Sequence, residues 1–228
     1  MEKTDMRPLY PYPAWAPPGL ELEACVETLE EALAAEAAGA TRLELCSRLD
    51  LGGLTPAFSL LKDVLAAVRI PVKAMLRARG GGFCYSISEK QALLPALQQM
   101  LDAGVHEVVT GALQPDGNPD LEFMSALTSQ APGIPFTFHK AIDEASEPVA
   151  AARQLSQVEG IRYILTSGAQ PRALEGAATI QKMQAAAGQG IIVIAAGKVT
   201  RENLAGWHRR IGAREYHGRR LLGRLIKG

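Results

Sequence analysis

The sequence predicts a single (β/α)8 barrel, an α/β fold of eight parallel strands with an incomplete final helix. Three observations carry that prediction. Eight apolar, strand-length runs follow one another along 228 residues, helix signals fill most of the intervals, and glycine stands just ahead of every second run. Parallel neighbours require crossover connections, and right-handed crossovers repeated along a chain can close a ring. A doubly wound open sheet is the competing architecture, but its GxGxxG fingerprint after the first strand is missing.

The runs are Leu20 to Val26, Thr41 to Ser47, Val72 to Ala78, Glu107 to Leu113, Phe136 to Ala141, Tyr163 to Gly168, Ile191 to Gly197 and Glu215 to Arg219. Between them, Thr55 before Pro56 predicts a helix cap with proline in the first turn, Ser88 to Gln91 fits a capping box, and Thr200 to Asn203 opens a weaker helix. Gly39, Gly104, Gly160 and Gly212 supply the left-handed residue that ends a helix before a short connection. Pro95 should kink or split the helix over 88–103.

The first nineteen residues hold five prolines and no continuous apolar stretch, so residues 1–19 read as a tail and 20–228 as the barrel domain. Only eleven residues follow His217, too few for a long closing helix. We therefore expect the proline-rich start, or a second subunit, to cover the outer face of strands eight and one. Seven Lys and Arg residues between Arg209 and Lys227 form a cationic, solvated end.

Hydrophobic residues make up 47% of the chain, and 24 Lys and Arg balance 24 Asp and Glu. Such a balance provides no field to draw the protein to nucleic acid or an anionic membrane, so a small ligand is the expected partner. Three cysteines with no CxxC pattern exclude a disulfide framework and fit a reducing, cytoplasmic compartment.

Functional residues of such barrels lie at the C-terminal ends of the strands. There the sequence repeats itself, as Glu23-Ala24-Cys25 and Glu44-Leu45-Cys46. Alternation along a strand puts each Glu on the same face as its Cys, and a carboxylate ending an apolar strand is expected to face a solvated cavity. Arg77 and Arg79 lead into Gly80-Gly81-Gly82-Phe83-Cys84-Tyr85-Ser86, and His139, Ser167 and His217 end later strands. Two uses of this mouth stand open. In one, Arg77 and Arg79 clamp a small carboxylate or phosphate while Glu23, Glu44, His139, Ser167 or His217 serve a reaction. In the other, Cys25 and Cys46 hold a soft metal ion. Against both, the cysteines could be small buried hydrophobes, the charges a structural lattice, and the histidines hydrogen-bonded fixtures.

The residues also carry a family likeness. Besides Glu23 to Cys25, the chain has Leu43-Glu44-Leu45-Cys46, Gly52-Gly53-Leu54-Thr55-Pro56, Arg77-Ala78-Arg79-Gly80-Gly81-Gly82-Phe83-Cys84-Tyr85-Ser86 and Thr137-Phe138-His139-Lys140-Ala141-Ile142-Asp143. Leu165-Thr166-Ser167-Gly168, Ala173-Leu174-Glu175-Gly176 and Glu215-Tyr216-His217 complete the series. In this order they resemble the copper homeostasis protein CutC family over nearly all of residues 20–217. The resemblance implies a cytoplasmic barrel, a homo-oligomer, and copper handling with Cu(I) at Cys25 and Cys46; it implies no organic cofactor. Regulation through a metabolite or protein partner, without catalysis, is a third reading. The chain departs from the family pattern at Ala78, Gly82, Lys140 and Ala195-Ala196-Gly197-Lys198, which predicts an altered anion cradle, and at Gly218-Arg219-Arg220, which predicts altered oligomer contacts.

Overall fold

The computed structural model describes residues 10–226. All eight expected strands form: β1 (Glu21–Val26), β2 (Arg42–Leu45), β3 (Val72–Met75), β4 (Glu107–Thr110), β5 (Phe136–Phe138), β6 (Ile161–Thr166), β7 (Ile192–Ala195) and β8 (Glu215–Gly218). Each pairs in parallel with the next, and β8 pairs with β1 to close the barrel. Most strands stop short of the apolar runs because the last residues of each run leave the ladder to build the loops above it, and β6 begins two residues earlier than the sequence suggested.

Around the ring lie α1 (Leu29–Ala37), α2 (Phe58–Ala67), α3 (Ile87–Asp102), α4 (Leu121–Gln130), α5 (Pro148–Leu155), α6 (Ala177–Ala187) and α7 (Arg201–Ile211). The period of two explains the layering. In β1, Leu22, Ala24 and Val26 face the helices within the main hydrophobic core, while Glu23 and Cys25 face inward. No helix is long and apolar enough to cross a membrane among the described residues.

Several local expectations need correction. Thr55 does not cap α2; Ala57 occupies that position, and the Thr55 hydroxyl instead exchanges hydrogen bonds with the Arg77 backbone at 3.0 and 2.9 Å. The capping box of α3 is Ser86 with Glu89, two residues upstream of the expected start. Pro95 does not divide α3, which runs unbroken from Ile87 to Asp102. The Thr200 and Asn203 box forms as expected, and Gly39, Gly104, Gly160 and Gly212 all take positive φ.

After Gly218 the chain turns back, bridging Arg220 to Thr200, and no helix follows β8 among the described residues. Residues 10–19 pack onto the flanks of that gap. Trp15 lies 5.4 Å beneath the Arg201 guanidinium at the start of α7, and Pro13 sits where a Cβ on Gly39 would meet it at 2.8 Å. Residues 1–9 of the expected tail lie outside the described residues.

The inside of the barrel departs from the branched aliphatic layers usual for the fold. Glu23 (β1), Arg42 (β2), Lys73 (β3), Glu107 (β4) and Glu215 (β8) are all buried there, and Glu23 and Lys73 show no exposed surface. Arg42 Nε donates to Glu23 Oε2 at 2.6 Å, and its Nη2 pairs with Glu215. Lys73 Nζ reaches Glu23 Oε2 and Glu107 Oε2, each at 3.2 Å, and donates to Thr137 Oγ1 at 2.8 Å. The Tyr163 ring lies 3.8 Å from that ammonium and 5.0 Å from the Arg42 guanidinium. Burial alone would raise the Glu23 pKa; Lys73, Arg42 and His217 outweigh it and hold the carboxyl well below 4.5.

A carboxyl lowered on folding stabilises the protein fully above its unfolded pKa and loses that contribution as pH falls toward the folded one. Glu23→Gln leaves two buried cations short of a partner, so it should cost about 3–5 kcal/mol near pH 7. It should also flatten the loss of stability below 4.5, the ordinary value for this carboxyl. Denaturant unfolding of both proteins across that acid range checks this; an unchanged midpoint would remove Glu23 from the stabilising network.

Candidate functional site

The two cysteines meet at the top of β1 and β2. Cys25 stands opposite Glu44 in the parallel register, and Cys46 follows directly after β2, its backbone nitrogen donating to Val26. Barrel stagger, which could have set the sulfurs in different layers, does not separate them: Sγ to Sγ is 3.5 Å. Met75, Val109 and Leu49 pack around the pair. Cys25 Sγ also lies 3.5 Å from Glu44 Oε1, and Cys46 Sγ lies 3.7 Å from the Val26 carbonyl. The hydrogen bond to Cys46, burial and the Glu44 carboxylate all raise the Cys25 pKa, which settles a sign that the residue types left open.

Glu44 joins the sulfurs to the ionic lattice below. Its Oε1 lies 3.9 Å from His217 Nε2, while its Oε2 is buried with no hydrogen-bond partner among the described residues. Burial raises the Glu44 pKa, opposed by His217 and reinforced by Glu23. His217 Nδ1 donates to Glu23 Oε1 at 2.7 Å, and although burial acts to lower its pKa, Glu44 and Glu23 hold it above 6.5. Two donor sets thus share Glu44: Cys25, Glu44 and Cys46, and Glu23, Glu44 and His217, with ligand atoms in each set within 4.8 Å of one another. They are not equivalent. In the second set both Glu23 oxygens already serve Arg42, Lys73 and His217, whereas the polar contacts of the sulfurs among the described residues are each other, Glu44 and one carbonyl.

Arg77 and Arg79 do not form the expected paired clamp. Arg77 Nη1 and Nη2 donate to the carbonyls of Leu51, Gly52, Gly53 and Gly81 at 2.7–3.3 Å, so this guanidinium staples the loops after β2 and β3 together. Arg79 points away to the start of α3, pairing with Glu89 and donating to the Gly82 and Cys84 carbonyls at 2.8 and 3.0 Å. Past the strand ends the alternation that put them on one face no longer applies.

His139, just beyond β5, is buried; its Nδ1 accepts from the Ala141 backbone nitrogen at 3.2 Å and its Nε2 has no hydrogen-bond partner among the described residues. Burial and the Arg77 charge lower its pKa to about 3. The imidazole is neutral.

Ser167, after β6, belongs to a cluster that the sequence reading passed over. Its hydroxyl donates to Asp143 Oδ2 at 2.8 Å and accepts from Lys140 Nζ at 2.7 Å. Lys140 also pairs with Asp143 at 2.9 Å, and Asp143 further accepts from Thr166 and from the Ala169 backbone at 2.9 Å. Burial would raise the Asp143 pKa, but Lys140 and these hydrogen bonds hold it below 3.8. Lys140 and Asp143 sit three apart in a motif already singled out for its family likeness. That spacing was the signal available.

The CutC family model matches residues 20–221. The human copper homeostasis protein cutC homolog is 38% identical over 204 residues, covering 90% of this chain and 74% of the relative. The CutC family protein of Photobacterium profundum is 36% identical over 198 residues, 87% and 80% of the two chains. Among solved structures, one assigned to the copper homeostasis protein CutC of Streptococcus agalactiae superposes with a TM-score of 0.83 at 28% identity, covering 89% of this chain and 99% of that one. An aldolase-type barrel from Coccidioides immitis, 13% identical with a TM-score of 0.64 and covering 92% of this chain and 87% of that one, shares the fold alone. With a family model spanning the whole barrel and relatives of this similarity, the chain belongs to the CutC family.

Proposed function

We propose that the protein acts in copper homeostasis in the cytoplasm, taking up Cu(I) as cargo through Cys25 and Cys46. The observation that carries the reading is the pair of unoxidised thiols 3.5 Å apart at the mouth of the barrel. Soft thiolates suit Cu(I), and free thiols suit a reducing compartment. The donor set fits the ion. Glu44 Oε2, buried and without a hydrogen-bond partner among the described residues, offers a further ligand beside the sulfurs, while the harder set around Glu23 is engaged by cations. The names of the human and bacterial relatives support the same role. Assembly as a homo-oligomer, implied by the family likeness, belongs to this proposal.

Burial and Glu44 keep the Cys25 thiol protonated when no metal is bound, so uptake must release protons and affinity should rise with pH. Reduced protein should bind about one Cu(I) per chain in competition with a Cu(I) chelator. Cys25→Ser with Cys46→Ser should abolish that uptake, whereas Cys84→Ser, altering an exposed and separate thiol, should leave it intact. Equal retention by the double variant would remove these residues as ligands.

A further inference from the structure

Two further buried nitrogens at the mouth, Arg77 Nε and His139 Nε2, have no hydrogen-bond partner among the described residues. Both residues are only 4% exposed. Their remaining polar atoms are in use, Arg77 through its Nη atoms and His139 through Nδ1. Because Nδ1 accepts from the Ala141 backbone, the imidazole proton sits on Nε2, and both orphaned atoms are donors. Buried donors are almost always paired, and leaving two unmet at one place is costly.

The two side chains share surroundings. The Arg77 guanidinium lies 4.6 Å from the centre of the Phe83 ring, and the His139 ring centre lies 4.9 Å from it. Arg77 is close enough to depress the His139 pKa. Gly111 makes room for the imidazole, since a Cβ there would stand 2.6 Å from His139 Nδ1.

We propose that Arg77 Nε–H and His139 Nε2–H together hold the carboxylate of a small organic acid, admitted past Phe83. Charge decides the class. One fixed positive charge beside a neutral imidazole matches a monoanion, whereas a phosphate dianion would bury a negative charge without a partner. The loops after β3 and β5 build this site, and the copper ligands come from β1 and the end of β2, so either can fail without the other.

The test is a titration of the full chain, labelled with nitrogen-15 at histidine, with sodium acetate against sodium chloride at equal ionic strength. The His139 Nε2–H signal should move and saturate with a dissociation constant on the order of 1 mM, as a ligand of four heavy atoms allows. His139→Asn keeps an acceptor near Nδ1 and removes the second donor, so heat measured on acetate binding should show affinity at least tenfold weaker. His139→Gln, whose amide reaches the Nε2 position, should bind within a few-fold of the parent. A linear response, or one equal in chloride, would mean that water alone meets the donors and would overturn the proposal. Unchanged affinity in His139→Asn would overturn it as well, and tighter binding of inorganic phosphate than of acetate would overturn the carboxylate assignment.

Discussion

Both oxygens of the Glu23 carboxylate are committed inside the barrel, one to Arg42 and Lys73 and the other to His217, with no surface left to water. A buried charge survives in such a place only when oppositely charged and hydrogen-bonding groups surround it. From that arrangement the rest of the interior follows. Lys73 links Glu23 to Glu107 and Thr137, and Arg42 links it to Glu215, so the five strands β1 to β5 and β8 are tied by side chains as well as by backbone ladders. His217, held by Glu23, turns its other nitrogen toward Glu44, and Glu44 faces the sulfur of Cys25. The lattice therefore positions the upper site while occupying the ligands that a hard cation would need.

Above that lattice the mouth is built from side chains that hold loops in place. Arg77 gathers carbonyls from two loops, Arg79 joins Glu89 in the capping box of α3, and Asp143 collects hydrogen bonds from Thr166 at the end of β6 and from Ser167 and Ala169 beyond it, together with Lys140. Groups secured in this way cost little further ordering when a ligand arrives. The atoms they leave unmet, Glu44 Oε2, Arg77 Nε and His139 Nε2, are consequently the most informative ones in the mouth.

The order and number of strands were legible because each apolar run is long and the intervening glycines and caps recur. Boundaries were less so: Thr55 looks like a cap in sequence, but its hydroxyl finds the Arg77 backbone just past the neighbouring strand β3. The convergence of Cys25, Glu44 and Cys46 followed from alternation and adjacency, both local properties. Glu23 was misjudged as facing a solvated cavity because its partners Arg42 and Lys73, and Glu215, the second partner of Arg42, lie on three other strands. Their period-two placement with Glu44, Arg77 and His217 was visible, yet only the closed ring shows that they meet. Arg77 and Arg79 failed as a pair for the opposite reason, since a pattern valid within a strand was carried past its end.

A lattice centred on Glu23 leaves the two thiols as the principal ligands for a soft ion. X-ray absorption at the copper edge of reduced protein loaded with a single equivalent of Cu(I) tests it most directly. The account predicts a first shell dominated by two sulfur neighbours, with any oxygen contribution coming from Glu44. A shell of nitrogen and oxygen alone, placing copper on His217 and the glutamates, would contradict it.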